Sequence, residues 1–129
     1  AFSNQDKTVS IAISGNRPPD STFHLYPQVI MFDGLPNRVY KEQDLNKIAM
    51  ISDNFRTYSK WNGIGEIPES DKARLLKVIK EAHQNGKFFR FWNAPDNENS
   101  WQVLQNLGAD IINTDKVKES TKYFEQKVK

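Results

Sequence analysis

Residues 86–115 read GKFFRFWNAPDNENSWQVLQNLGADIINTD, the pattern of a strand, a helix and a second strand. Phe88 to Trp92 is an aromatic run whose bulk favours a pleated strand, and Pro95 in the following Asn93-Ala94-Pro95-Asp96 denies a ladder its donor. Ala109 to Asn113 is a second short apolar strand. Between them Trp101, Leu104 and Leu107 recur at helical spacing, Asn97 to Ser100 offer N-cap side chains, and Gly108 is placed to end the helix in the left-handed region. Two strands joined by one crossing helix are parallel neighbours.

In parallel α/β folds the loops leaving the strand C-termini line the ligand crevice. Arg90, Trp92, Asn93 and Asp96 are therefore expected to face the same space as Asn113, Thr114 and Asp115. By the two-residue period Arg90 and Trp92 share one strand face, as do Ile111, Asn113 and Asp115. For one strand taken alone, the alternative is a core tryptophan beside a surface arginine.

Moving upstream, a helix from about Glu69 to Gln84 places Leu75, Leu76, Ile79 and Ala82 on one face, with acidic residues in its first turn and Gly86 beyond its end. Arg56 to Pro68 is too long for a plain connector and carries Trp61 and two glycines, either a lid or a flap packed by its own tryptophan. Ile48 to Ser52 reads as a buried strand ending at Asp53-Asn54, with Asp44 capping a brief helix before it. Val29 to Phe32 reads as a short strand before the turn Asp33-Gly34-Leu35-Pro36, and Val9 to Ser14 as a strand that runs into Gly15-Asn16-Arg17-Pro18-Pro19-Asp20. Strands alternating with helices indicate a parallel α/β architecture, and no linker or repeat divides residues 1–129.

The 129 residues suffice for one core but are about half of the roughly 250 of a closed eight-stranded barrel. With 37% apolar and 26% charged residues the chain is neither disordered nor fibrous. Its net charge of +2 is spread over interspersed basic and acidic residues, which argues against nucleic acid as a partner. The C-terminal KVKESTKYFEQKVK reads as an amphipathic helix with Val117, Thr121, Phe124 and Val128 on its packed side. Cysteine is absent, which excludes disulfides and thiolate chemistry. No apolar run reaches transmembrane length and AFSNQDKT is no signal peptide, so the compartment stays open, secreted or periplasmic settings included.

No GxGxxG, GxxxxGK[ST] or GxSxG motif is present, and Gly63-Ile64-Gly65 lacks the third glycine. His24 and His83 are the only histidines, and His83 reads as a helix C-terminal charge complement. What remains is a set of polar groups at the strand ends: Asn16 and Arg17, Asp33, Asp53 and Asn54, Arg90, Trp92 and Asn93, Asn113 and Asp115. Such a ring can hold an anion on its arginines and asparagines, a cation on its aspartates and a sugar-like body against Trp92. Asx turns and N-caps are the other account of the same residues, and for Asp53, Asn113 and Asp115 the two stand level.

SGNRP at 14–18, FDG at 32–34, ISDNF at 51–55, FRFWNAPDN at 89–97 and LGADIINTDKV at 107–117 resemble the C-terminal half of the phosphatidylinositol-specific phospholipase C-like phosphodiesterases, which include glycerophosphodiester phosphodiesterases. The resemblance implies a partial TIM-type (β/α) barrel, its last four or five strands with their helices. It further implies cleavage of a phosphodiester, from a small molecule or a lipid headgroup, by two histidines, often with a divalent cation such as calcium or magnesium. In that family the histidine pair and most metal carboxylates lie on the N-terminal strands, outside the sequence here. Arg17 and Arg90 are then expected to act on the phosphate, while Trp92 packs on the alcohol and Asn16, Asp53, Asn93, Asn113 and Asp115 hold geometry or hydroxyls. The expected partner is the N-terminal half of the barrel, or a second copy. The alternative is a non-catalytic α/β module for a phosphorylated or sugar-like ligand, built as three layers with helices on both faces of the sheet.

Overall fold

A computed structural model describes residues 10–128. Strands β1 (Ile11–Ile13), β2 (Ile30–Gly34), β3 (Ile48–Asn54), β4 (Phe88–Trp92) and β5 (Ile111–Ile112) form one sheet in the order in which they occur along the chain. Every neighbouring pair is parallel. Four helices join the sheet, α1 (Glu42–Leu45), α2 (Glu69–Gln84), α3 (Glu98–Leu107) and α4 (Val117–Val128), with 3-10 turns at Asp20–Leu25 and Phe55–Thr57.

Sequential order decides the architecture. When each strand is added beside its predecessor by a right-handed crossover, all connections fall on one face and the sheet coils toward closure. The result is a curled half-barrel with its helices outside, the partial TIM-type arrangement. A sheet with helices on both faces reverses its strand order at a switch point. The described strands contain no reversal, so the three-layer alternative is not the architecture found.

The helix-facing side of the sheet forms the core. Phe89 and Phe91 pack there with Ile51 against Leu75, Val78, Ile79 and Ala82 of α2 and Leu104 of α3. Phe32 stacks on Phe23 at a ring separation of 4.0 Å. α3 starts where the Asn97 carboxamide oxygen accepts the Ser100 amide at 2.8 Å and stops at Gly108, φ 102°, where a β-carbon disfavours the left-handed backbone. α2 has the bounds its sequence pattern gives.

Several boundaries move, with functional consequences. Asp33 and Gly34, which read as a turn, are the last two residues of β2, and Asp53 and Asn54 complete β3. β5 keeps only Ile111–Ile112 of the apolar run. β1 keeps Ile11–Ile13, with Val9 and AFSNQDKT outside the described residues. Asp44 is buried within α1 and caps nothing; its carboxylate accepts the backbone amide of His24 and pairs with the His24 ring at 2.8 Å. On α4 the packed side is Ser120 and Tyr123, while Val117 is 68% exposed. Tyr123 and Phe124 seat on Trp101 of α3, since an aromatic ring buries more apolar area than the valine that periodicity favours.

Alternation along the strands fixes the inner face. Parallel pairing aligns Met50 with Phe88, Ser52 with Arg90 and Asn54 with Trp92. The inner wall is therefore layered: Met50 and Phe88 low, Ser52 and Arg90 above them, and Asn54 and Trp92 at the strand C-terminal rim, while Asp33, whose backbone pairs with Met50, reaches the middle layer through its side chain.

Candidate functional site

The middle layer is a hydrogen-bonded cluster centred on Asp33, 7% exposed. A burial-competent carboxylate must have its lone pairs met, and neighbouring strands supply the donors. Ser52 Oγ donates to Oδ1 at 2.5 Å. Ser14 Oγ and Arg90 Nη2 both donate to Oδ2 at 3.1 Å. Arg90 Nε also donates to Ser52 Oγ at 3.2 Å, so two of its five N–H groups are engaged on one edge of the fork. Arg17 Nη1 donates to the backbone carbonyl of Asp33. The register of β2 against β3 shifts between Phe32 and Asp33, the kind of irregularity that re-aims a side chain.

The structure thus brings Arg17 and Arg90 onto one residue. Trp92 stands one layer above Arg90, 44% exposed. Asn93 follows in the left-handed region, φ 61°, and its Nδ2 donates to Asn54 Oδ1 at 3.1 Å, joining the exits of β4 and β3. Asn16 is exposed and, with Gly15, Arg17, Asp20 and Arg38, lines a polar cleft of about 430 Å³ next to the cluster. Asn113 and Asp115 are exposed at the exit of β5.

Asp53 is placed differently from the others. Alternation puts it on the helix-facing side with Ile51, and its oxygens accept the Asn54 amide at 2.8 Å and the Tyr58 hydroxyl at 2.6 Å. Burial, reinforced by that hydrogen bond, pushes the Tyr58 phenol up from its ordinary range. A strand ending at Ser52 would put Asp53 at the mouth; β3 runs to Asn54 and turns Ser52 and Asn54 inward instead. Ser52 was missed for that reason. Its signal lay in the alternation Met50, Ser52, Asn54 opposite Phe88, Arg90, Trp92.

The exit loops are tied to one another. Asp96 accepts from Trp101 Nε1 at 2.9 Å, Thr114 Oγ1 at 2.6 Å and the Asp115 amide at 3.0 Å. Burial alone would raise its pKa, but the bonds from Thr114, the Asp115 amide and Trp101, with the charge of Lys116, hold it below the usual carboxylate range. The segment after β3 is a packed flap: Trp61 is 7% exposed and donates to the Ile64 carbonyl at 3.1 Å. Asn99 Nδ2 holds the Gly63 and Gly65 carbonyls at 2.9 Å each.

Neither histidine stands in this cluster. His24 pairs with Asp44, and His83 Nε2 lies 2.7 Å from Asp110 near the opposite end of β4, where Asp110 also accepts the Phe89 amide. Among the described residues no three His, Cys, Asp or Glu side chains come together as a metal cage, and the Asp33 and Asp96 oxygens are taken by the partners above. The donor set in hand does not by itself fit a calcium or magnesium ion. No described helix is long and apolar enough to cross a membrane. A second hollow of about 470 Å³ lies on the outer wall, between Leu35–Tyr40 and α2, on the far side of the sheet from Arg90.

Residues 89–118 match the model of the glycerophosphoryl diester phosphodiesterase family. The matched stretch runs through β4, its exit loop, α3 and β5 to the start of α4, and so contains Arg90, Trp92, Asn93, Asn113 and Asp115. No curated protein and no solved structure matches the chain.

Proposed function

We propose, taking the phosphodiesterase-family match over residues 89–118 as the premise, that this chain forms the phosphate-binding part of a phosphoric diester hydrolase. Glycerophosphodiesters or phosphoinositide-like molecules are its substrate class. Arg90 and Arg17 bind the phosphoryl oxygens and offset the charge that grows on them in the transition state. Trp92 packs on the alcohol, and Asn16, Asn93, Asn113 and Asp115 line its hydroxyl-bearing surroundings. Asp53 braces the β3 exit through Tyr58. Proton transfer in this scheme belongs to groups on further strands, because both histidines here are committed to carboxylates away from the cluster. Those strands, as the N-terminal half of a barrel, are the partner the open sheet accepts.

The observation that carries the proposal is the Arg90 guanidinium, held edge-on by Ser52 and Asp33 in the inward layer directly below the rim tryptophan. Trp92 provides the test, since Trp61 and Trp101 are buried and soluble quenchers reach Trp92 first. Adding sn-glycero-3-phosphocholine is expected to protect the fluorescence from acrylamide, and Arg90→Ala to abolish that protection. Protection that survives Arg90→Ala would move the site elsewhere.

A non-catalytic module that holds a phosphorylated or sugar-like ligand on the same residues is the second proposal, favoured by the occupied histidines. The 129 residues alone are expected to turn over neither glycerophosphodiesters nor phosphatidylinositol. Robust hydrolysis would show that further strands are dispensable.

A further inference from the structure

Asp33 is the one acidic side chain of the inner cluster, and its position is hard to explain as packing. It is nearly inaccessible, sits on the middle of three adjoining strands, and receives side chains from β3, β4 and the exit of β1. Its backbone carbonyl takes the second arginine. A register shift occurs at that residue and nowhere else in the four pairings of the described strands. With both carboxylate oxygens occupied by protein donors, it has no direct business with a reacting atom.

We infer that Asp33 is the positioning and charge-setting residue of the proposed phosphate site, an inference that rests on the phosphate-binding role of Arg90 and Arg17. Two consequences follow from its contacts. First, the Nε and Nη2 edge of Arg90 is fixed against Ser52 and Asp33, so the plane of the guanidinium is set before a ligand arrives and its remaining N–H groups stay available. Second, two guanidiniums and one carboxylate leave the cluster one net positive charge. A phosphodiester carries a single negative charge, whereas a phosphomonoester carries about −1.5 to −2 near neutral pH. The cluster is therefore matched to the diester, and the monoester brings charge that the buried carboxylate repels. Asp33 selects diesters over monoesters by this balance.

Dimethyl phosphate and methyl phosphate test the idea, since they differ in charge and by one methyl group. Both are titrated calorimetrically at about pH 8, where the monoester is a dianion, into the 129-residue chain and its Asp33→Asn and Ser52→Ala variants. The unaltered chain is expected to bind dimethyl phosphate at least as well as methyl phosphate. Asp33→Asn should raise the methyl to dimethyl affinity ratio by about fivefold or more, and Ser52→Ala should weaken both ligands with the ratio kept. An unchanged ratio in a folded Asp33→Asn variant overturns the inference.

If Asp33→Asn does not fold, the Arg90 Nε–H resonance of the unaltered chain decides. A proton protected from solvent exchange, and exposed in Ser52→Ala, supports fixation; rapid exchange in the unaltered chain overturns it. Failure of the unaltered chain to bind either phosphate removes the underlying phosphate site, a result distinct from binding with an unshifted ratio.

Discussion

A β-carbon placed on Gly34 would lie 2.8 Å from Ile51 Cδ1 and 2.9 Å from Ile48 Cγ2, closer than carbon atoms pack. The neighbours are buried core residues with little room to move, so Gly34→Ala is expected to lower stability by about 1–3 kcal/mol in urea titrations. A variant as stable as the parent would show that the β2 and β3 packing yields to an added methyl group. One residue earlier stands Asp33, and the pair illustrates what could be read in advance. Asp-Gly before Leu-Pro carries turn chemistry, yet both residues complete a strand, because pairing with Met50 and Ile51 outweighs local preference. Arg90 and Trp92 were legible on one face from alternation alone. The Asp33 and Ser52 contacts were not, since they depend on which residues face across strands far apart in sequence.

Among the elements, α2 and α3 follow their sequence signals closely, since a capping side chain and a terminal glycine act locally. Asn97→Ala removes the acceptor for the Ser100 amide and is expected to cost about 1 kcal/mol, measurable as a lower urea midpoint. α4 was legible as a helix but its packed side was displaced toward Tyr123, because the partner surface, Trp101, lies on another element. The link through Asp96 between the β4 and β5 exits gives a pH dependence. The carboxyl is lowered in the folded chain, so its stabilisation is present above the unfolded value of about 4 and is lost as pH falls through the folded one. Melting temperatures taken downward from about pH 6 should fall steeply across the acid range. In Asp96→Ala they should start lower and fall less; parallel curves for the two proteins would rule out this source.

For the whole molecule, the low inner layer sets solution behaviour. Phe88 is 61% exposed there, beside Met50, and β1 and β5 are open edges of the described sheet. An apolar wall flanked by unpaired ladder groups favours association. Sedimentation velocity on the chain alone is expected to show concentration-dependent assembly, reduced by Phe88→Lys. A concentration-independent monomer would mean that the inner wall is covered by some other means. The parallel class of the sheet was legible from alternating strand and helix signals. Its single-direction winding was legible only through the family resemblance, which implied the partial TIM-type barrel found, because strand order is a property of pairing, which no local pattern encodes.

That winding also bears on synthesis. From β2 onward, each described strand lies against the one translated just before it, so each of these emerges from the ribosome to a neighbour already made. Pairing with sequence neighbours keeps each separation to a single crossover, the least a parallel sheet allows, and such a sheet can grow by accretion at its newest edge. The Asp33 cluster would then be assembled in translation order, with Arg90 the last of its members to arrive and the one that completes it.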